Sequence, residues 1–121
     1  MTTLDILNDV LVKNNLNWCK GCEAGRSHKR GFVFTKDRTT IHLDSKVSTR
    51  SALHRALHEV GHCVNDETGL RSFQCEALAE KFASDTMRNY NIPVPRKSVR
   101  QGVAYIQRKK RHGDNIIKGG I

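Results

Sequence analysis

Residues 56–62 read Ala56-Leu57-His58-Glu59-Val60-Gly61-His62, the pattern H-E-x-x-H. On an α-helix, positions i and i+4 share a face, so the imidazoles of His58 and His62 can aim at one point. Two nitrogens so placed are what a divalent zinc ion takes from a helix. Glu59 sits about 100° round the same helix from His58. It is badly placed to bind the same ion and well placed to reach a water on it. Two imidazoles that hold a metal, beside a carboxylate that takes a proton, are the parts of a zinc hydrolase. The competing reading is a surface helix with solvated histidines. Leu53, Leu57, Val60 and Val64 recur at i, i+4, i+7 and i+11, an apolar stripe for packing on a core. The histidines fall on the other side, toward a cleft.

Outward from this stretch, the preceding residues set up the helix. Ser48 or Thr49 is a suitable N-cap, and the helix is expected over about 49–66. His54 lies four residues before His58, but the helical rise puts it about 12 Å from His62 along the axis. Three successive i, i+4 positions do not converge on one ion, so His54 is expected by the mouth of the site. Further back, Gly31-Phe32-Val33-Phe34-Thr35 and Thr39-Thr40-Ile41-His42-Leu43-Asp44 flank the charged Lys36-Asp37-Arg38. That pattern predicts an antiparallel β-hairpin. Its edge could align an extended peptide, or the hairpin simply covers one side of the core. Residues 3–16 carry Leu4, Leu7 and Leu11 at helical spacing, with Thr2 or Thr3 as N-cap. Trp18-Cys19-Lys20-Gly21-Cys22 contains one C-x-x-C. Cys19 and Cys22 form half of a metal site, a redox pair, or two plain thiols in a loop.

On the C-terminal side, Gly69 marks a turn and 73–83 predicts an alanine-rich helix able to approach its neighbour closely. Leu78, Ala79 and Phe82 are its core candidates. Zinc needs a third protein ligand and an open fourth position. Glu76 follows His62 by 14 residues across a turn, so an antiparallel return can deliver it to the metal. Glu80, one turn on, is placed to accept a hydrogen bond from the far nitrogen of a ligating histidine and fix its tautomer. The alternative makes both glutamates solvent-facing partners of Lys81 or Arg88. A last helix is expected from Ser98 to Arg111, with Val99, Val103 and Ile106 inward, Gly113 as its stop and a frayed tail. Tyr90, Tyr105, His54 and His112 are candidate donors to an oxyanion.

The segment H-E-V-G-H followed by E-A-L-A-E-K-F-A resembles the ImmA/IrrE-type metallopeptidases, which show H-E-[LIV]-G-H and later E-x-x-A-N-x-F-A. The resemblance covers residues 53–83 and implies a gluzincin-like ligand set. His58 and His62 then match metal ligands, Glu59 the catalytic base and Glu76 the third ligand. Ala79, Phe82 and Ala83 match packing positions. Glu80 stands where that family usually has Asn, and the family's L-L-M-P segment is missing. The family often cuts a repressor or anti-repressor of a mobile element or stress pathway, so the resemblance, with the small size and basic tail, implies a small phage or mobile-element version.

A chain of 121 residues, 37% hydrophobic and 27% charged, is expected to form one domain, here 1–121. The expected fold is α+β: a small antiparallel hairpin sheet packed with about four helices, a minimal zincin-like metallopeptidase domain. No apolar run approaches a membrane span, and the acidic N-terminus lacks a signal-peptide n-region, so a cytoplasmic protein without membrane partners is expected. The net charge of +9 is uneven. Residues 96–121 hold eight Lys and Arg against Asp114 alone, which leaves the rest almost neutral. The basic helix (96–112), with Lys109, Lys110 and Arg111, either contacts nucleic acid or an acidic partner, or is a solvated helix end. Two functions therefore stand open. One is a zinc-dependent endopeptidase, with one Zn²⁺, acting on a protein or peptide substrate. The other is a non-catalytic zinc-stabilised binding module that works through its basic C-terminal region. Oligomeric state is not legible.

Overall fold

The computed structural model describes residues 1–20, 32–34, 39–43 and 47–120, with side chains at all of these except 18–20, 32–34, 42–43 and 112–120. The elements are α1 (Thr3–Lys13), β1 (Asn17–Lys20), β2 (Phe32–Phe34), β3 (Thr40–Leu43), α2 (Arg50–Val64), α3 (Ser72–Asn89) and α4 (Arg96–Gly120). The expected α+β class is corrected: the molecule is mainly helical. Strands of three or four residues are too short to carry a layer of core. Among the described residues, Ile41 is the one fully buried strand side chain, while α2 alone buries Ala52, Leu53, Ala56, Leu57 and Val60. Nor is the strand portion a simple hairpin. The order is β1-β3-β2. Phe32 pairs with Leu43 and Phe34 with Ile41 in antiparallel sense, but Asn17–Lys20 adds to β3 in parallel. The polar, cysteine-containing composition of 17–20 gave no alternation to announce that strand.

Local chemistry fixes the helix starts. Thr2 and Asp5 form a reciprocal capping box on α1, with Asp5 N–H donating to Thr2 Oγ1 (3.1 Å) and Thr2 N–H to Asp5 Oδ2 (2.9 Å). Thr49 Oγ1 accepts from Ala52 N–H (3.0 Å) at the start of α2. Arg71 N–H donates to Gln74 Oε1 (2.8 Å) at the start of α3. Asn15, Gly69 and Asn91 take left-handed φ values of 55°, 74° and 60°, which end α1, turn the α2–α3 loop and end α3. α4 runs on through Gly113, the expected stop, to Gly120; an interior glycine costs a helix only about 1 kcal/mol.

The core lies under α2. Ile6, Leu7, Val10 and Leu11 of α1 meet Leu53, Leu57 and Val60 of α2, with Ala83 and Met87 of α3 closing the other side. α3 packs along α2 and α4 along α3. Two apolar assignments are corrected: Leu78 and Val103 are 39% and 48% exposed. α3 presents Ala79 and Ala83 to its neighbour instead, and α4 turns Gly102 and Ile106 inward. Among the described residues no helix is long and apolar enough to cross a membrane.

Candidate metal centre

The crossing of α2 and α3 decides the geometry of the centre. Gly61 stands between His58 and His62 in sequence, and Ala79 between Glu76 and Glu80. A Cβ on Gly61 would come 2.9 Å from Ala79 Cα and 3.1 Å from its carbonyl oxygen. Only a glycine opposite a small residue lets the backbones meet this closely. The approach brings the histidine pair of one helix onto the glutamate pair of the other.

His58 Nε2 is 2.6 Å from Glu76 Oε2, His62 Nε2 is 2.9 Å from the same oxygen, and the two Nε2 atoms are 3.1 Å apart. Each ring is held from behind. Glu80 Oε1 lies 2.7 Å from His58 Nδ1, and Glu67 Oε2 lies 2.6 Å from His62 Nδ1. An ionised carboxylate can only accept, so each Nδ1 carries its hydrogen, and a ring in its neutral form turns a lone pair inward at Nε2. Two such lone pairs and a carboxylate oxygen then face one point. That arrangement favours a cation at the point, a proton on a ring nitrogen or a divalent ion, which the chemistry of the donors suits. Ligands about 2.1 Å from a tetrahedral ion sit about 3.4 Å apart, so the triangle of 2.6, 2.9 and 3.1 Å must open, most on the His58–Glu76 side, to take one. The group His58, His62 and Glu76 could hold a metal ion.

The electrostatics give the same reading in the language of protons. Burial works against a charged His58, yet its bonds to Glu76 and Glu80 outweigh it and push the ring up to about 10. Burial lowers and the bonds to Glu76 and Glu67 raise His62, with a net rise. For Glu76, burial raises the value, and the two histidines overcome it and pull it down to about 2. All three directions favour positive charge at the shared point. Glu59 differs. Desolvation is its dominant influence and raises it to about 7. A carboxyl poised there can take and return a proton near neutral pH.

A cavity of about 850 Å³ opens beside the centre. α2 lines it with Arg55, His58 and Glu59, α3 with Glu80, and α4 with Gln101, Tyr105 and Arg108. α4 packs closely on the carboxyl end of Glu80: a Cβ on Gly102 would lie 2.7 Å from its carboxyl carbon.

The other sequence candidates separate. His54 also lines the cavity but is only 2% exposed, so it forms a buried wall rather than the mouth. Burial lowers its pKa, and Glu80 Oε2 lies 3.5 Å from its Nε2. Tyr90 is remote from the centre; its hydroxyl donates to Asp9 and accepts from Lys13 Nζ at 3.2 Å. Tyr105 is in the cavity wall. Lys109 Nζ lies 5.5 Å from the Tyr105 ring and Lys110 Nζ 5.8 Å from the Phe73 ring, while Arg111 is exposed on α4. Cys22, and the side chains of Cys19 and His112, lie outside the described residues. Glu67 was not foreseen. Its one trace in the sequence is an acid five residues after His62, inside a turn.

The site thus defines a class, proteins with a helix-borne His-His-Glu group able to hold a metal ion. Comparison with known proteins goes no further: no family model, no curated protein and no solved structure matches this chain.

Proposed function

We propose that this protein is a zinc-dependent endopeptidase, with His58, His62 and Glu76 as zinc ligands and Glu59 as general base. The observation that carries the reading is the pairing of the three converging ligand atoms with a desolvated carboxyl beside them, with His58 and Glu59 both lining one cavity. A purely structural metal site has no use for the second feature. The resemblance of residues 53–83 to the ImmA/IrrE-type metallopeptidases supports the same assignment and suggests a regulatory protein as substrate.

When bound, zinc polarises the carbonyl to be cut and lowers the pKa of a water toward neutrality. The chain does the rest. Glu80 and Glu67 hold the two imidazoles in the Nδ1–H tautomer and so keep both Nε2 atoms available. Glu59 accepts the proton of the attacking water and returns it to the departing amine, since a value of about 7 makes either step accessible.

The test is metal analysis combined with two variants. One equivalent of zinc is expected, with Glu76→Ala losing it. Glu59→Gln should keep the zinc and lose peptide hydrolysis by at least a hundredfold, the usual worth of a general base. Full hydrolysis by Glu59→Gln would sink the assignment. A second reading is favoured by one observation, the exposed basic face of α4 with Arg100, Arg108, Lys110 and Arg111. On that reading the centre only stabilises a nucleic-acid-binding module. Affinity for a duplex should then fall steeply with salt and survive Glu59→Gln.

A further inference from the structure

The cavity has a charge pattern that hydrolysis itself does not use. Two acids line it, and both face inward work: Glu80 is held by His58, and Glu59 is a desolvated neighbour of the centre. Two cations line it as well, Arg55 from α2 and Arg108 from α4. Arg108 is exposed and enters no ion pair among the described residues; its guanidinium carbon lies 6.0 Å from the Tyr105 ring, also in the wall. Arg55 and Glu59 are i, i+4 on α2, so they share a face about 6 Å apart along the axis. An extended peptide advances about 3.3 Å per residue. Arg108 lines the same cavity as Glu59, so a group that reaches it lies within a few residues of a bond laid beside Glu59. Gln101 adds a neutral donor to the same wall. The guanidinium fork matches a carboxylate, and the strongly basic 96–121 segment adds a long-range field that attracts acidic chains.

We propose that this cleft selects a polypeptide carrying a carboxylate within a few residues of the bond presented to Glu59, with Arg108 as the specificity-determining residue. The inference deepens the endopeptidase reading and rests on it for the word "bond" alone; recognition of the carboxylate is separable from cutting.

The experiment uses the zinc-loaded full-length protein and quenched octapeptides on one Ala/Leu/Phe frame, with Glu, Gln or Lys at each position in turn. In one register, Glu peptides should be cleaved with kcat/KM roughly five- to tenfold above their Gln counterparts, the scale of a partly exposed ion pair. Arg108→Glu should reverse the order in favour of Lys. Lys81→Gln, a charge change on α3 away from the cavity, should keep the Glu preference and so excludes a bulk-charge effect. Each peptide is also made with a free and an amidated C-terminus. A preference that follows the free terminus assigns the carboxylate to a chain end, and one that follows Glu assigns it to a side chain. Equal rates for Glu and Gln in every register and at both termini overturn the inference. If nothing is cleaved, anisotropy of the same peptides decides. Arg108-dependent binding of the carboxylate peptides upholds the inference while the hydrolase reading falls, and indifferent binding removes both.

Discussion

His58 and His62 offer one ring nitrogen each to the centre, and what makes that offer firm is the acid behind each ring. Glu67 is as buried as the ring it holds, with both side chains 7% exposed. Removing it leaves His62 Nδ1–H without its acceptor and the ring free to choose the other tautomer. Glu67→Ala should weaken zinc binding about 10–100-fold, measured by competition with a chromophoric chelator. An unchanged affinity would mean that the ring is fixed by packing alone. The same residues set the pH response of the metal-free protein. His58 is raised to about 10 from an ordinary 6.5, so its contribution to stability is complete below about 6.5 and is lost as pH climbs through 10. Glu76 is lowered to about 2 from 4.5, so its contribution is complete above about 4.5 and is lost as pH falls through 2. Glu59 is raised to about 7 from 4.5, so its cost to stability grows as pH rises from about 4.5 and is complete above 7. Metal-free protein should therefore melt highest near pH 4.5–5 and lower steadily toward pH 10. Excess zinc should flatten the alkaline limb, because a metal replaces the proton that the site loses. A melting curve that stays level to pH 10 without metal contradicts this account.

At the scale of elements, two glycines do different work on the two faces of α3. Gly61 sets the distance between α2 and α3 against backbone atoms, which cannot step aside. Gly61→Ala gains about 1 kcal/mol of helix propensity and meets an overlap costing about 1–3 kcal/mol. The expected result is a modest net loss of stability in urea melts, together with weakened zinc binding as the helices part. Gly102 meets only the mobile end of Glu80. Gly102→Ala should leave the fold as stable as before, or slightly more so, while the new methyl pushes Glu80 off His58 Nδ1. Zinc affinity then falls without a stability loss, and the fall should vanish in a Glu80→Gln background if both changes act through one contact. Equal losses in both backgrounds would show that Gly102 acts elsewhere.

For the whole molecule, α2 is at once the spine of the core and the bearer of the site. Leu53 and Leu57 are fully buried on one side, one turn from His58 and His62 on the other. Leu57→Ala should cost about 2–5 kcal/mol. On the proposed function zinc binds only the folded chain, so a concentration 1,000 times its dissociation constant should restore about 4 kcal/mol of that loss. Thermal melts with and without zinc read both numbers directly. The restoration should disappear in Leu57→Ala combined with Glu76→Ala.

What the chain determined by itself is local in origin. The period of Leu53, Leu57 and Val60, the Thr49 cap and the H-E-x-x-H spacing place two histidines on one face whatever surrounds them. So too for Glu76 and Glu80, one turn apart on α3. The tertiary structure alone decided the rest. That α2 and α3 cross at Gly61 and Ala79, that Glu67 bends back onto His62, that α4 covers Glu80 through Gly102, and that 17–20 joins β3 in parallel all depend on contacts between residues distant in space or facing across a turn. The fold class was misread for the same reason. Alternation in 32–43 announces strands, but it says nothing of how little core they hold once four helices compete for the apolar surface. Periodicity reports which way a side chain points from its own backbone; only packing reports what it meets there.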